Sequence, residues 1–129
     1  TMLGSGGFII MDETACIVRH TWTLARFYHH ESCGQCSPCR EGTGWMEKVL
    51  HRIENGHGTM KDIDLLVDIS KKIEGNTICP LGDAAAWPVA SAIRHFREEF
   101  EYHVLNPEKI KDPKHFEKEP FVSSATQNA

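Results

Sequence analysis

The most constraining feature of this sequence is a cluster of cysteines. Cys33, Cys36 and Cys39 form a C-x2-C-x2-C run, and Cys79 lies far along the chain, directly before a proline. Thiolates this close together repel one another unless a cation holds them, so the run indicates a metal centre in a reducing compartment. A disulfide framework would instead use an even number of cysteines spread along a secreted chain, whereas this chain has five.

The spacing of these four cysteines favours one kind of metal centre over another. Structural zinc is normally bound by two pairs of ligand residues, such as two C-x2-C motifs. A triple run with one remote Cys-Pro is typical of [4Fe–4S] clusters, in which one loop supplies three thiolates and a distant residue supplies the fourth. The sequence therefore predicts one [4Fe–4S] cluster bound by Cys33, Cys36, Cys39 and Cys79. Thiolates also select zinc, so a zinc-stabilised structural module stays open as an alternative.

A catalytic thiol is a further interpretation of the same run. Cys36 or Cys39 would act as the nucleophile, with His29 or His30 as its base. A nucleophile needs one activated thiol and this loop supplies three, so this interpretation is disfavoured. His29, His30 and Glu31 are instead expected to be exposed or to lie behind the metal ligands. No catalytic residue is assigned.

Length and charge limit the remaining function classes. With 129 residues the chain can form one domain and bury a core without disulfides. Its net charge of −4 and its pI near 6.0 argue against binding to nucleic acid or to anionic lipid. No apolar run approaches the ~20 residues that a membrane span needs, so no direct membrane insertion is expected.

Apolar residues recur at helical spacing in four segments, so the predicted fold class is mainly α, a four-helix bundle. The helices are expected at 14–30, 38–54, 59–74 and 83–104. Ser37 is the expected N-cap of the second helix and Pro38 its first residue, which places Cys39 in the first turn. Thr59 and Asp62 form a capping-box pattern at the start of the third helix.

Both ends of the chain are expected to lie outside this bundle. Residues 1–12 are predicted to be the end of an upstream domain, with a short strand at 8–11. Residues 13–105 form the predicted helical [4Fe–4S] domain. Residues 106–129 are polar and are predicted to be a loosely ordered tail.

Two further expectations concern side chains away from the cysteine run. Cys16 is expected to be a small buried residue rather than a fifth ligand or a redox partner. In the fourth helix, Phe96 is placed on the apolar face and Glu99 on a solvated face with other charged residues.

The residues around the cysteines resemble a known family. The stretches HESCGQCSPCREG at 30–42 and IEGNTICPLGDA at 73–84 resemble the NADH-binding flavoprotein subunit of respiratory complex I, an NADH:quinone oxidoreductase. The similarity extends from about Leu3 to Val104. The resemblance implies that the same four cysteines ligate a [4Fe–4S] cluster in a C-terminal helical domain.

The resemblance also implies a function for a longer parent protein. In that family NADH reduces FMN in an upstream domain, and the cluster relays the electrons to clusters in neighbouring subunits. The chain is expected to be a C-terminal fragment that binds neither FMN nor NADH alone and is an NADH dehydrogenase only as part of the parent.

The partners and location are implied in the same way. The partners are the large iron–sulfur subunit and the small thioredoxin-like iron–sulfur subunit of the same complex, with no nucleic acid. The complex would lie on the cytoplasmic side of a bacterial inner membrane, or on the matrix side in a mitochondrion. Flavoprotein subunits of NAD-linked hydrogenases and formate dehydrogenases carry similar modules and are alternatives.

Overall fold

Four long helices form the body of the molecule in the computed structural model, which describes Gly4 and residues 6–12 and 14–110. The helices are α1 (Ile17–Glu31), α2 (Ser37–Glu54), α3 (Met60–Ile73), α4 (Leu81–Leu105) and the short α5 (Pro107–Ile110). Both α1 and α3 contact α2 on one side and α4 on the other, so the first four helices pack as a bundle. The mainly α fold class is confirmed.

The core of the bundle is built from one apolar stripe of each long helix. In α2 the stripe follows the i, i+4, i+7 spacing of Met46, Leu50 and Ile53, all fully buried. Each large apolar side chain that is withdrawn from water contributes roughly 1.5–3 kcal/mol. The largest fully buried apolar side chains are Val18, Met46, Leu50, Ile53, Ile63, Leu66, Ile73, Val89 and Phe100.

The start of α3 follows the predicted capping box. The Thr59 N–H donates to Asp62 Oδ2 at 2.7 Å, and the Thr59 hydroxyl donates to the same oxygen at 2.9 Å. Arg52 of α2 donates to Asp62 Oδ1, which ties the two helices together at this turn. α3 ends before Gly75, whose φ of +71° is a left-handed conformation that favours glycine.

Short connections make successive helices antiparallel, so the bundle has two distinct ends. We define the cysteine end as the end that holds the α1–α2 loop (32–36) and the α3–α4 loop (74–80). Near this end, α2 packs closely against α1 and α3. A Cβ on Gly42 would lie 2.6 Å from the Ile73 side chain, and one on Gly44 would lie 3.0 Å from the His29 ring. The far end holds the α2–α3 loop, the start of α1 and the end of α4, where the Ile17 N–H donates to Glu99 Oε1 at 2.7 Å.

The short strand predicted at 8–11 is absent from the described part of the chain. These residues lie outside any helix or strand, and Phe8, Ile9 and Ile10 are 82%, 79% and 84% exposed. A strand needs a partner whose backbone can pair with its own, and the described residues offer none. Apolar side chains alone therefore do not make this segment a strand.

The N-cap of α2 lies one residue earlier than predicted. Cys36 is the N-cap, with extended backbone angles of φ −106° and ψ 137°, and Ser37 is already helical. The Ser37 hydroxyl accepts a hydrogen bond from Arg40 at 3.3 Å and caps no backbone N–H of α2. Cys39 still lies in the first turn, as predicted.

α4 departs from the predicted faces because it is kinked. The kink is at Phe96, which has non-helical angles (φ −131°, ψ 31°), and not at Pro88 inside the helix. The kink changes the register of the faces that follow it. Phe96 is consequently 47% exposed and Glu99 is only 5% exposed. The prediction that Phe96 lies on the buried apolar face and Glu99 on the solvated face was wrong.

The start of the predicted tail is ordered. Residues 107–110 form α5, and the Ile110 side chain is buried. The Gly56 backbone lies against Pro107, because a Cβ on this glycine would meet the Pro107 carbonyl oxygen at 2.9 Å. The rest of the tail, residues 111–129, lies outside the described residues. Among the helices of the described part, none is long and apolar enough to cross a membrane.

Candidate metal centre

The four predicted ligands lie in two loops at the cysteine end of the bundle. Cys33 is exposed in the α1–α2 loop, Cys36 is the half-buried N-cap of α2, and Cys39 is buried in the first turn of α2. Cys79 is exposed in the α3–α4 loop, directly before Pro80, the N-cap of α4. The antiparallel bundle thus brings the remote cysteine to the same end as the run of three.

The loop carrying the first three cysteines is held in shape by Arg40. Its guanidinium donates to the Gly34 carbonyl at 2.9 Å, to the Ser37 hydroxyl at 3.3 Å and to Glu41 at 2.8 Å. Gly34 has a φ of +77°, so the chain reverses between Cys33 and Cys36 where only glycine is unstrained. Arg40 thus places a positive charge on the carbonyl of Gly34, the residue that follows Cys33.

The Cys39 sulfur lies within hydrogen-bond distance of Ser32, a residue of the preceding loop. Ser32 Oγ lies 3.3 Å from Cys39 Sγ. The Gly34 N–H approaches the same hydroxyl at 3.4 Å, which leaves the hydroxyl proton free to point at the sulfur. A ligand thiolate is stabilised by such a donor. This contact joins a residue of the irregular loop to one seven positions later in α2, so no sequence pattern predicts it.

The α3–α4 loop is equally constrained. The Gly75 N–H donates to Asp83 Oδ1 at 2.7 Å, and the Thr77 hydroxyl donates to the Cys79 carbonyl at 2.8 Å. A Cβ on Gly82 would overlap the Thr77 side chain, so the loop folds tightly onto the first turn of α4. Asp83, in the first turn of α4, therefore holds this loop through its side chain.

The donor set at this end fits an iron–sulfur cluster. Four thiols are available, and two helices begin beside them with their positive dipole ends, which favour an anionic group. Within the described residues, no three of these cysteines bring their sulfurs within 4.8 Å of one another, as ligands of one ion would. In a [4Fe–4S] cluster each thiolate binds a different iron, and soft thiolates are the ligands of such clusters.

The histidines next to the run do not contact it. His29 pairs with Glu47 at 2.5 Å, and its ring covers Gly44. The exposed His30 pairs with Glu31 at 3.0 Å. Neither imidazole is hydrogen-bonded to a thiol, so the arrangement lacks the base that a catalytic cysteine needs.

Cys16 lies at the far end of the bundle, away from the other cysteines. It is buried, as expected, and it is also the N-cap of α1, accepting the Arg19 N–H at 3.3 Å. Its Sγ lies 3.3 Å from His103 Nε2. Burial raises the pKa of the Cys16 thiol, and the nearby carboxylates of Glu54 and Glu99 add to that effect. Burial likewise raises the pKa of Glu54 to about 7.

Comparison with known proteins agrees with this arrangement. Residues 19–103 match the family described as the NADH-ubiquinone oxidoreductase-F iron-sulfur binding region. The chain belongs to this family. The matched region begins in α1 and ends in α4, so it contains all four cysteines of the two loops.

Similar proteins from bacteria are named as one subunit of NADH-quinone oxidoreductase, the subunit designated F. The chain is 54% identical over 104 residues to this protein of Rickettsia typhi (strain ATCC VR-144 / Wilmington), covering 81% of this chain and 25% of that protein. It is 52% identical over 102 residues to the protein designated F 1 of Rhizobium meliloti (strain 1021), covering 79% and 24%. The chain thus spans about a quarter of the length of these relatives.

A solved structure shares the fold. The chain superposes on a chain of an NAD+-reducing [NiFe]-hydrogenase in its H2-reduced state with a TM-score of 0.69 and 34% sequence identity. The superposition covers 73% of this chain and 16% of the hydrogenase chain.

Proposed function

We propose that this chain is the electron-relay domain of the NADH-binding flavoprotein subunit of an NADH:quinone oxidoreductase. Cys33, Cys36, Cys39 and Cys79 hold one [4Fe–4S] cluster in this proposal. The observation that carries it is the bundle's placement of both cysteine loops at one end, within the region that matches an iron–sulfur binding family.

The cluster, when bound, accepts and releases one electron at a time. The protein's own residues determine where and how strongly it is held. Gly34 and Arg40 keep the triple-cysteine loop in shape. The Ser32 hydroxyl lies 3.3 Å from the Cys39 sulfur and would donate to it once that sulfur is a deprotonated ligand. The first turns of α2 and α4 direct backbone N–H groups toward the site.

The remaining components are assigned to the longer protein and its complex. FMN and NADH bind upstream of this chain, and the electrons pass on to the large iron–sulfur subunit, with the small thioredoxin-like iron–sulfur subunit alongside. The complex lies on the cytoplasmic side of a bacterial inner membrane, or on the matrix side in a mitochondrion. Support comes from relatives at 52% and 54% identity that are named as a subunit of NADH-quinone oxidoreductase.

The alternative is a flavoprotein subunit of an NAD-linked hydrogenase, or of a formate dehydrogenase. The structural similarity to an NAD+-reducing hydrogenase chain supports this alternative, but at 34% identity it is more distant than the quinone oxidoreductase relatives. The same cluster and the same four ligands serve either parent.

Iron and sulfide analysis of anaerobically purified protein tests the cluster. We expect a brown protein with about four irons and four acid-labile sulfides, and an EPR signal after reduction with dithionite. Substituting alanine for any one of the four loop cysteines should abolish the colour. Cys16→Ala is the matched control and should keep its iron. A colourless wild-type protein that holds one zinc on four sulfurs would contradict the proposal and support the structural zinc module.

A further inference from the structure

A second group of donor side chains lies at the far end of the bundle. Cys16 at the start of α1, and Glu99 and His103 near the end of α4, each present one donor atom, and the three atoms lie within 4.8 Å of one another. All three are buried, with 5%, 5% and 2% exposure. In the described part of the chain, no other set of His, Cys, Asp and Glu side chains meets this distance.

The three donors have the chemistry of a zinc site. Thiolate sulfur, imidazole nitrogen and carboxylate oxygen are the ligands that zinc uses, at bond lengths of about 2.0–2.3 Å. The Cys16 Sγ to His103 Nε2 distance of 3.3 Å is close to the ~3.5 Å that tetrahedral bonds of those lengths give. Glu99 and His103 are four residues apart and share one face of α4. The Ile17 N–H fixes the Glu99 carboxylate at 2.7 Å.

The Glu54 carboxylate lies next to the second ring nitrogen of His103, where a metal-binding histidine needs a hydrogen-bond acceptor. His103 Nδ1 faces Glu54 Oε2 at 3.6 Å, and the Glu54 side chain is 9% exposed. Glu54 Oε2 is itself buried without a hydrogen-bond partner. A histidine that binds metal through one nitrogen almost always donates the N–H of the other to a carboxylate or carbonyl. A metal on Nε2 holds the proton on Nδ1, where it meets Glu54.

We propose that Cys16, Glu99 and His103 bind one Zn²⁺ ion, with Glu54 as a positioning residue for His103. Binding releases the thiol proton of Cys16 to solvent, so the thiolate and the Glu99 carboxylate balance the two positive charges. His103 stays neutral, and its Nδ1–H faces Glu54 Oε2 across 3.6 Å. Because zinc is redox-silent, this site takes no part in electron relay.

The ion has a structural consequence for the bundle. Cys16 and His103 are 87 residues apart in the sequence, so the site fastens the start of α1 to the end of α4. The four cysteines at the other end connect the α1–α2 loop to the α3–α4 loop. The two metal sites would therefore hold the opposite ends of one bundle.

Metal counting on the full chain tests the zinc site. The protein is purified anaerobically, incubated with Zn²⁺ alone, desalted, and analysed for zinc and iron in the same sample. We expect one zinc per wild-type chain, with a zinc K-edge spectrum showing one sulfur and otherwise nitrogen or oxygen ligands. Cys16→Ala and His103→Gln should each lower the retained zinc at least tenfold, with unchanged iron.

Two further variants separate ligand loss from a general loss of structure. Glu54→Gln keeps all three ligands and removes the charge behind His103, so zinc affinity should fall about 10–100-fold with normal helicity by circular dichroism. His95→Gln changes an exposed histidine on the same helix and should leave zinc retention unchanged.

The outcomes that contradict the zinc site are distinct from those that contradict the cluster. Less than one zinc per ten wild-type chains overturns the zinc site, as does equal zinc retention in Cys16→Ala and His103→Gln. Zinc that persists in those variants with four sulfur ligands instead occupies the four loop cysteines, and this result contradicts the [4Fe–4S] proposal as well.

Discussion

The Ser32 hydroxyl lies within hydrogen-bond distance of a predicted ligand sulfur. It approaches Cys39, the most buried of the four thiols. A hydrogen bond to a ligand sulfur stabilises the more negative, reduced state of a cluster more than the oxidised state. We therefore expect Ser32 to adjust the redox potential of the proposed cluster without being a ligand.

Removing that hydroxyl should make the cluster harder to reduce. We expect Ser32→Ala to lower the midpoint potential by about 40 mV, the one-electron equivalent of a hydrogen bond of about 1 kcal/mol. An EPR-monitored redox titration measures the shift, and iron content should stay constant. Ser37→Ala is the matched control, because its hydroxyl contacts Arg40 and no sulfur. Equal potentials in wild type and Ser32→Ala would show that the hydroxyl does not donate to Cys39.

The contacts of the Asp62 carboxylate predict how the stability of the protein depends on pH. Its burial opposes ionisation, but hydrogen bonds from Thr59 and Arg52 outweigh this and hold the pKa of the carboxyl below its ordinary value of 3.8. The folded pKa is thus lower than the unfolded pKa. The stability that the ionised Asp62 carboxylate gives to the folded protein is fully present above its ordinary pKa of 3.8. This stability is lost as the pH falls through the lowered pKa of the folded state.

We therefore expect the stability advantage of wild type over Asp62→Asn to depend on pH. At pH 7 the variant should be about 1 kcal/mol less stable, because the capping box and the contact with Arg52 are weakened. At pH 3 the difference should shrink. Urea unfolding of both proteins at each pH measures it, and effects of acid that both proteins share cancel in the comparison. A difference that grows toward pH 3 would contradict the assigned sign.

At the scale of the helices, the contacts of α2 decide which of its glycines are required. Gly42 and Gly44 both lie inside α2, where glycine is about 1 kcal/mol less favourable than alanine. Gly42 faces the buried Ile73 of α3, and Gly44 faces the half-exposed His29 of α1. Ile73 is only 1% exposed, whereas the His29 side chain is 42% exposed and can move into solvent.

The two glycines should respond oppositely to the same substitution. Gly42→Ala should destabilise the protein by about 1–3 kcal/mol, because its Cβ would lie 2.6 Å from Ile73 and force the two helices apart. Gly44→Ala should be neutral or slightly stabilising, since the gain in helix propensity offsets the exposed His29–Glu47 contact that weakens when the His29 ring turns outward. The urea midpoints of the two variants measure this difference in stability. A stabilising effect of Gly42→Ala would show that the Ile73 side chain or α3 moves aside at little cost.

α4 illustrates how an irregularity within one element redirects its side chains. The apolar period along this helix continues through Phe96 in the sequence, but the non-helical angles there turn Phe96 outward. The same change brings Glu99 inward to the start of α1. A charged residue in a charged run is thus buried because an unpaired backbone N–H of another helix needs an acceptor.

At the scale of the whole molecule, the two ends of the bundle are structurally separate. The cysteine end is made of two loops with little apolar burial of their own, while the far end is closed by buried polar contacts and by α5. The apolar core of α2, α3 and α4 lies between them. Changes at one end should therefore leave local order at the other end intact.

Removal of the cluster with a chelator under oxidising conditions tests this separation. We expect hydrogen exchange to quicken in the loops at 32–36 and 74–80 and in the first turn of α2, where the thiolates lose their bridging metal. Exchange of the core amides of α3 and of the second half of α4 should change less than twofold. Exchange that quickens equally along all four helices would show that the cluster supports the entire bundle.

The sequence by itself determined the helical class and the boundaries of α3 to within one residue at each end, and it predicted the four cysteines of the candidate centre. Helical periodicity, the capping box and cysteine spacing are local patterns, and local backbone preferences are enough to interpret them. The tertiary structure alone decided that the segment at 8–11 is not a strand, that Phe96 faces solvent, and that Cys16 meets Glu99 and His103. Each of these depends on what another part of the chain places nearby, because pairing, burial and metal coordination join residues that are distant in sequence.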